Sequence, residues 1–210
     1  MAIDYKKAEK ALYLPGPEPA RILVPPMPFI AVDGAGDPNE AGGAYGRALD
    51  VLYTLCYTIK MSKLGGGAPA GYFDYVVPPL EGLWCMENGA PGVDYGNKAG
   101  FTWMSMIRQP SFVTPAVFEA AQQTALKKKG VDTSIARLTV YDEGDAVQCM
   151  HFGAFDDEPA TMARMEAFLA ENGLVSDYGA RRHHEIYLGD PRKVAVEKRR
   201  TVLRIPVREA

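Results

Sequence analysis

Apolar positions along this chain change their period at boundaries marked by glycine, proline and acidic turns. From about Ala41 to Lys63, Leu49, Leu52, Cys56 and Ile59 recur at helical spacing, and Gly65-Gly66-Gly67 ends the pattern. From about Glu158 to Glu171, Met162, Met165, Phe168 and Leu169 repeat it until Asn172-Gly173. A third helical segment spans about Thr114 to Lys129 and stops at Gly130. The remaining apolar runs are short and suit strands: Tyr72 to Val77, Leu83 to Met86, Phe101 to Ile107, about Ala136 to Tyr141, Ala146 to Phe152, His184 to Leu188 and Thr201 to Val207. The turn Glu143-Gly144-Asp145 makes a hairpin of the fourth and fifth of these.

Two stretches share a pattern. Phe29 to Glu40 reads FIAVDGAGDPNE and Met150 to Pro159 reads MHFGAFDDEP, so that Gly34 falls on Gly153, Ala35 on Ala154 and Asp37 on Asp156. In each, an apolar run ends at Gly-Ala, and an acidic turn with proline opens a helix, where carboxylates meet the positive end of the dipole. Two strand candidates follow each helix. The pattern predicts a single α+β domain of two β-α-β-β modules, about 21–110 and 136–207, joined by the helical segment 114–129. The modules are expected about a pseudo-twofold axis, with antiparallel sheets, helices on one side and a central groove, and ligand sites favour such junctions.

Composition adds mainly exclusions. Of the 210 residues, 47% are apolar and 23% charged, which fits a globular domain rather than a disordered chain. Ala48 to Ile59, the most apolar stretch, contains Asp50 and is too short to span a bilayer. The N-terminus lacks the apolar core of a secretory signal, so a cytoplasmic protein is expected. Cys56, Cys85 and Cys149 are widely spaced and read as reduced core thiols. A net charge of -3 argues against nucleic-acid binding, although Arg181 to Arg204 carries eight basic residues against three acidic ones. That run is read as a solvated face or loop. The glycine stretches lack the spacing of nucleotide-binding loops, and no cofactor is predicted.

The candidate chemistry lies in HHEIYLGDP, His183 to Pro191. In an extended chain Glu185 and Tyr187 share one face while His184 and Ile186 share the other. A carboxylate and a phenol on one face suit ligand binding or proton transfer; they equally suit the wet side of an amphipathic strand. His183 and His184 face opposite ways and cannot chelate one metal together, so no metal site is predicted. Trp84, Trp103, Tyr53, Tyr57 and Phe152 are the aromatic candidates for a ligand pocket, each with core packing as the alternative. Trp103 shares a face with Phe101 and Ser105; Tyr53 and Tyr57 lie four apart on one helix face.

Longer motifs carry a family resemblance. FGAFDDEPATMARMEAFLAENG, HHEIYLGDPRKVAVEKRRTVLR, GYFDYVVPPLEGLW and SMIRQPSFVTPAVFEAA together resemble the stand-alone GyrI-like proteins, over about Tyr5 to Val207. The resemblance implies tandem modules of the SHS2 type around a cleft that binds hydrophobic, often cationic, small molecules. Related domains serve as effector-binding halves of AraC-type and MerR-type regulators. Here only about 20 residues precede the first strand, too few for a helix-turn-helix, so direct DNA binding is not expected. Some proteins resembling this stand-alone subset hydrolyse cyclopropane-bearing DNA alkylators of the yatakemycin and CC-1065 type within an aromatic cage. Carried over, that activity gives Glu185 the role of activating water and Tyr187 that of stabilising charge on the ligand carbonyl or orienting the water. The alternatives are a non-catalytic binder that sequesters or senses drugs and an inhibitory partner of DNA gyrase.

Overall fold

The structure, a computed structural model, describes residues 2–64, 66–90, 92–179, 181–190 and 193–210. Gly65 of the predicted helix stop, and Pro191 and Arg192 of the DPRK motif, lie outside the described residues. The strands are β1 (Ala20–Val24), β2 (Met27–Ala35), β3 (Leu80–Met86), β4 (Phe101–Arg108), β5 (Arg137–Tyr141), β6 (Gly144–Phe152), β7 (Leu174–Ser176), β8 (His183–Tyr187) and β9 (Arg200–Glu209). The helices are α1 (Tyr5–Ala8), α2 (Lys10–Tyr13), α3 (Ala44–Lys60), α4 (Pro115–Lys129) and α5 (Glu158–Glu171).

The strands form one antiparallel sheet in the order β1-β6-β9-β8-β3-β4-β2-β5, with β7 added to the end of β9. Two β-α-β-β units are visible in that order. β2-α3-β3-β4 makes one and β6-α5-β8-β9 the other, and they join where β3 pairs with β8. β1 and β5 are exchanged: β1 pairs with β6, and β5 with β2. Only Pro25 and Pro26 link β1 to β2, although the two lie near opposite ends of the strand order. The sheet must therefore curl toward itself, and the two modules share one antiparallel half-barrel.

Both long sheet-covering helices pack on one face. Leu52, Leu55, Cys56 and Ile59 of α3 are buried over the first unit, while Met165 and Leu169 of α5 join Val147, Cys149, Leu203 and Ile205 over the second. Burying one such side chain fully contributes about 1.5–3 kcal/mol. α5 has the limits that the sequence predicts. α3 begins at Ala44, three residues later than expected, because Gly42 takes a left-handed φ of 69° and Gly43 is extended. α4 starts where the Thr114 hydroxyl accepts from the Val117 amide, ends at Gly130 with φ 67°, and packs on α3.

Two expectations need correction. Tyr72 to Val77 forms no strand; it makes a single bridge, Ile3 with Tyr75, because Pro78 and Pro79 follow at once and cannot donate to a ladder. Its aromatic residues pack instead, with Tyr75 5.9 Å and Phe73 5.3 Å from the Phe112 ring. Nor is the basic run wholly solvated: Arg204 lies on β9 with 0% exposure.

Arg204 belongs to an ionic cluster on the sheet face away from α3 and α5. It donates to Glu143 (2.7 Å), Gln148 (3.0 Å) and the Leu12 carbonyl (2.5 Å). His184 bridges Glu143 at 2.8 Å and Glu81 at 3.0 Å, and Tyr13 donates to Glu81. The N-terminal helices α1 and α2 close this face, with Leu12 and Tyr13 buried.

Candidate functional site

β8 lies at the junction of the two units, so its helix-side residues stand between α3 and α5. His183, Glu185 and Tyr187 point there, opposite Trp84, Gly82 and Leu80 of β3. All three are buried, His183 fully, with Glu185 at 7% and Tyr187 at 8% exposure. The expected alternation therefore holds, and its polar face is enclosed rather than wet.

Two glycines make room for the indoles. A Cβ at Gly82 would lie 2.6 Å from Trp84 Nε1 and 3.2 Å from the Tyr187 oxygen, so the Trp84 ring crosses the position and its N–H donates to Tyr187 at 3.0 Å. At Gly34 a Cβ would meet the Trp103 ring at 2.2 Å. Tyr45, in the first turn of α3, stands over both indoles, its ring 5.5 Å from Trp84 and 5.1 Å from Trp103. Phe101 closes the far side of Trp84 at 5.6 Å, and Phe155 lies 5.6 Å from Tyr187.

The first residue of α5 completes the site. Glu158 is fully buried, and its Oε2 accepts from the Tyr95 hydroxyl at 2.7 Å. Tyr95 comes from the β3–β4 connection, which a Lys98–Asp156 ion pair of 2.6 Å also fastens to the α5 end. His183 Nε2 lies 3.4 Å from Glu185 Oε1, and ligand atoms of Glu158, His183 and Glu185 all fall within 4.8 Å of one another. A cavity of about 120 Å³, bounded in part by Phe155, Tyr187, Val194 and Thr201, adjoins the site through Tyr187 and is not lined by the three donors themselves.

Burial, and then the nearby Glu185 charge, raise the Glu158 pKa well above the ordinary carboxylate range. The same two causes, in the same order, raise the Tyr187 phenol. Placement at a helix N-terminus favours the Glu158 anion, but by about 2 kcal/mol at most, so it offsets only part of the desolvation. The site thus holds two carboxyl groups in unlike surroundings, one inclined to keep its proton. Such pairs can divide acid and base roles. The same two groups with His183 are also a donor set that could hold a metal ion.

Among the residues expected at a pocket, Glu185, Tyr187, Trp84 and Trp103 come together here. Tyr53 is half-buried and 6.4 Å from Tyr57, which is 47% exposed on the outer side of α3. Phe152 lies elsewhere. It is 57% exposed at the end of β6, where the strand alternation turns it away from His151 and the helix side; Phe155, beyond the turn, takes the place against Tyr187. His151 is bound to Thr161 and the Ala154 carbonyl, which anchors α5. Sequence reasoning missed Glu158, His183, Tyr45 and Tyr95. The signal for Glu158 was the acidic turn that opens α5; for Tyr95, on a long connection, there was none.

Residues 18–208 match the profile of a family described as the GyrI-like small molecule binding domain. An uncharacterized conserved protein from Listeria innocua is 49% identical, with a TM-score of 0.92 over 98% of this chain and 100% of its own. A protein from the same organism described as a hydrolase is 47% identical, with a TM-score of 0.88 over 98% and 100%. The EcmrR C-terminal domain shares the fold at 12% identity, with a TM-score of 0.53 over 92% and 98% of the two chains. No curated protein shows significant similarity to the sequence.

Proposed function

Because the chain belongs to the GyrI-like small-molecule-binding family, we propose that the aromatic site on β8 receives a bulky hydrophobic compound and hydrolyses a strained cyclopropane in it. The observation that carries this reading is the pair of buried carboxyl groups, Glu158 and Glu185, set among Tyr45, Trp84, Trp103 and Tyr187. Similarity to a Listeria innocua hydrolase at 47% identity supports turnover.

In the proposed reaction Glu185 takes a proton from water as the water oxygen bonds to the cyclopropane CH2. The ring C–C bond breaks, and its electron pair flows into the conjugated ketone, which becomes a phenolate and then, on protonation by Glu158, a phenol. Tyr187, held by Trp84 and beside Glu185, keeps the base aimed at the water. The indoles and Tyr45 hold the flat ring system by stacking, worth about 0.5–1.5 kcal/mol per aromatic pair beyond area burial. The β3–β4 connection lies against this end of the site, with Tyr95 bonded to Glu158 and Lys98 paired with Asp156 just before α5.

The test is incubation with a cyclopropapyrroloindole-type compound, read by mass spectrometry for addition of one water. Wild-type protein is expected to convert many equivalents. Glu185→Gln should retain binding and lose conversion by at least about 100-fold, the lower range for a general base. Wild-type turnover in that variant would remove Glu185 as the base. Tight binding by the unaltered protein with no gain in mass would instead identify a sequestering protein.

A further inference from the structure

His183 is fully buried, and among the described residues neither of its ring nitrogens has a hydrogen-bond partner. Glu158 Oε1 is buried and unpartnered in the same way. Buried polar atoms are rarely left so, and here three of them, both His183 nitrogens and Glu158 Oε1, share one site. His183 Nε2 and Glu185 Oε1 are 3.4 Å apart, too long for a charge-assisted hydrogen bond. That spacing has another use: two donors each about 2.1 Å from a tetrahedral ion lie about 3.4 Å apart.

We propose that Glu158, His183 and Glu185 form a binding site for a divalent transition-metal ion, and that the metal and the hydrolytic water exclude each other. One imidazole nitrogen and two carboxylate oxygens suit zinc, cobalt, manganese or ferrous ions better than calcium, which prefers oxygen donors alone, or copper(I), which prefers sulfur. The donors come from two elements, β8 and the first turn of α5, so the ion would tie the sheet to the helix. Tyr95 donates to the other oxygen of Glu158 and would orient that ligand. An ion here engages the Glu185 oxygen that would otherwise face water. The proposal uses the geometry of the site assigned above but does not need the hydrolysis to be correct.

The experiment uses full-length protein freed of metal by chelator and dialysis, titrated with Co2+ and followed by visible ligand-field absorption and calorimetry. One saturable ion per chain is expected, with a dissociation constant at least about ten-fold weaker in each of Glu158→Gln and His183→Gln. Circular dichroism on each variant establishes that it is folded. Lack of saturable binding, or binding unchanged in both folded variants, overturns the site. Cyclopropane hydrolysis is assayed on the same samples. Loss of conversion as the metal saturates is expected, and full conversion by the saturated protein overturns mutual exclusion. Metal binding without any hydrolysis sinks only the proposed reaction; hydrolysis without metal binding sinks only the metal site.

Discussion

At the scale of the residue, the absence of two side chains shapes the pocket as much as the presence of two indoles. Gly82 faces Glu185 across the β3–β8 ladder, and the space left by its missing Cβ holds the Trp84 nitrogen and the Tyr187 hydroxyl. Gly82→Ala should therefore push the indole off Tyr187, at a cost of about 1–3 kcal/mol from overpacking. The expected readouts are a lower urea midpoint and weaker ligand binding; unaltered values of both would show that the ring relocates freely. Trp84, Trp103, Glu185 and Tyr187 were legible in the sequence because strand alternation groups side chains by face. Tyr45, Tyr95 and Glu158 were not, since each arrives from another element through the curl of the sheet. Phe152 misleads because one turn separates it from Phe155, and period alone does not say which ring survives the reversal on the site side.

At the scale of the element, helices were easier to read than strands. The limits of α5 follow from an acidic turn, a proline at the first turn and Asn172-Gly173 at the end, all local signals. α4 has a similar start, and its Thr114 cap gives a direct test. Thr114→Ala should destabilise the protein by about 1 kcal/mol, measured by urea unfolding, without altering ligand affinity, because α4 packs on α3 and carries none of the site's side chains. A loss well under that value would mean that the first turn draws little from this cap. Tyr72 to Val77 shows the limit of strand reading. Its composition is that of a strand, but pairing depends on a free edge and available amides, and the two prolines that follow remove them.

At the scale of the whole molecule, the buried ionic cluster joins parts far apart in sequence. Burial alone would raise the Glu143 pKa, but the charges of Arg204 and His184 and the bonds to them outweigh it and hold the carboxyl down at about 2. Burial would lower His184, yet Glu143 and Glu81 push it up to about 9. The Glu143 contribution is present above its ordinary value of 4.5 and is lost as pH falls through the folded value. The His184 contribution is present below 6.5 and is lost as pH rises through about 9. Stability from this cluster should thus be greatest between 4.5 and 6.5. The imidazole resonances of His184 are expected to remain those of the charged ring at about pH 8, where an exposed histidine is neutral; a neutral ring there would overturn the assignment. Little of this was visible beforehand: the excess of positive charge near the C-terminus looked like a solvated surface, and only the folded sheet brings Glu81, Glu143 and His184 to Arg204.

β8 is the strand on which both sets of chemistry depend, one on each side. His183 and His184 have the same side chain, yet one belongs to the ligand site and the other to the ionic cluster. The strand is therefore written in a reading frame of two. Deleting one residue just before it while the ladder re-forms would put His184 among the aromatic rings and drive Glu185 into the buried charges, exchanging the contents of the two sides. The length of the segment leading into β8 is consequently as much a part of the site as the glutamate itself.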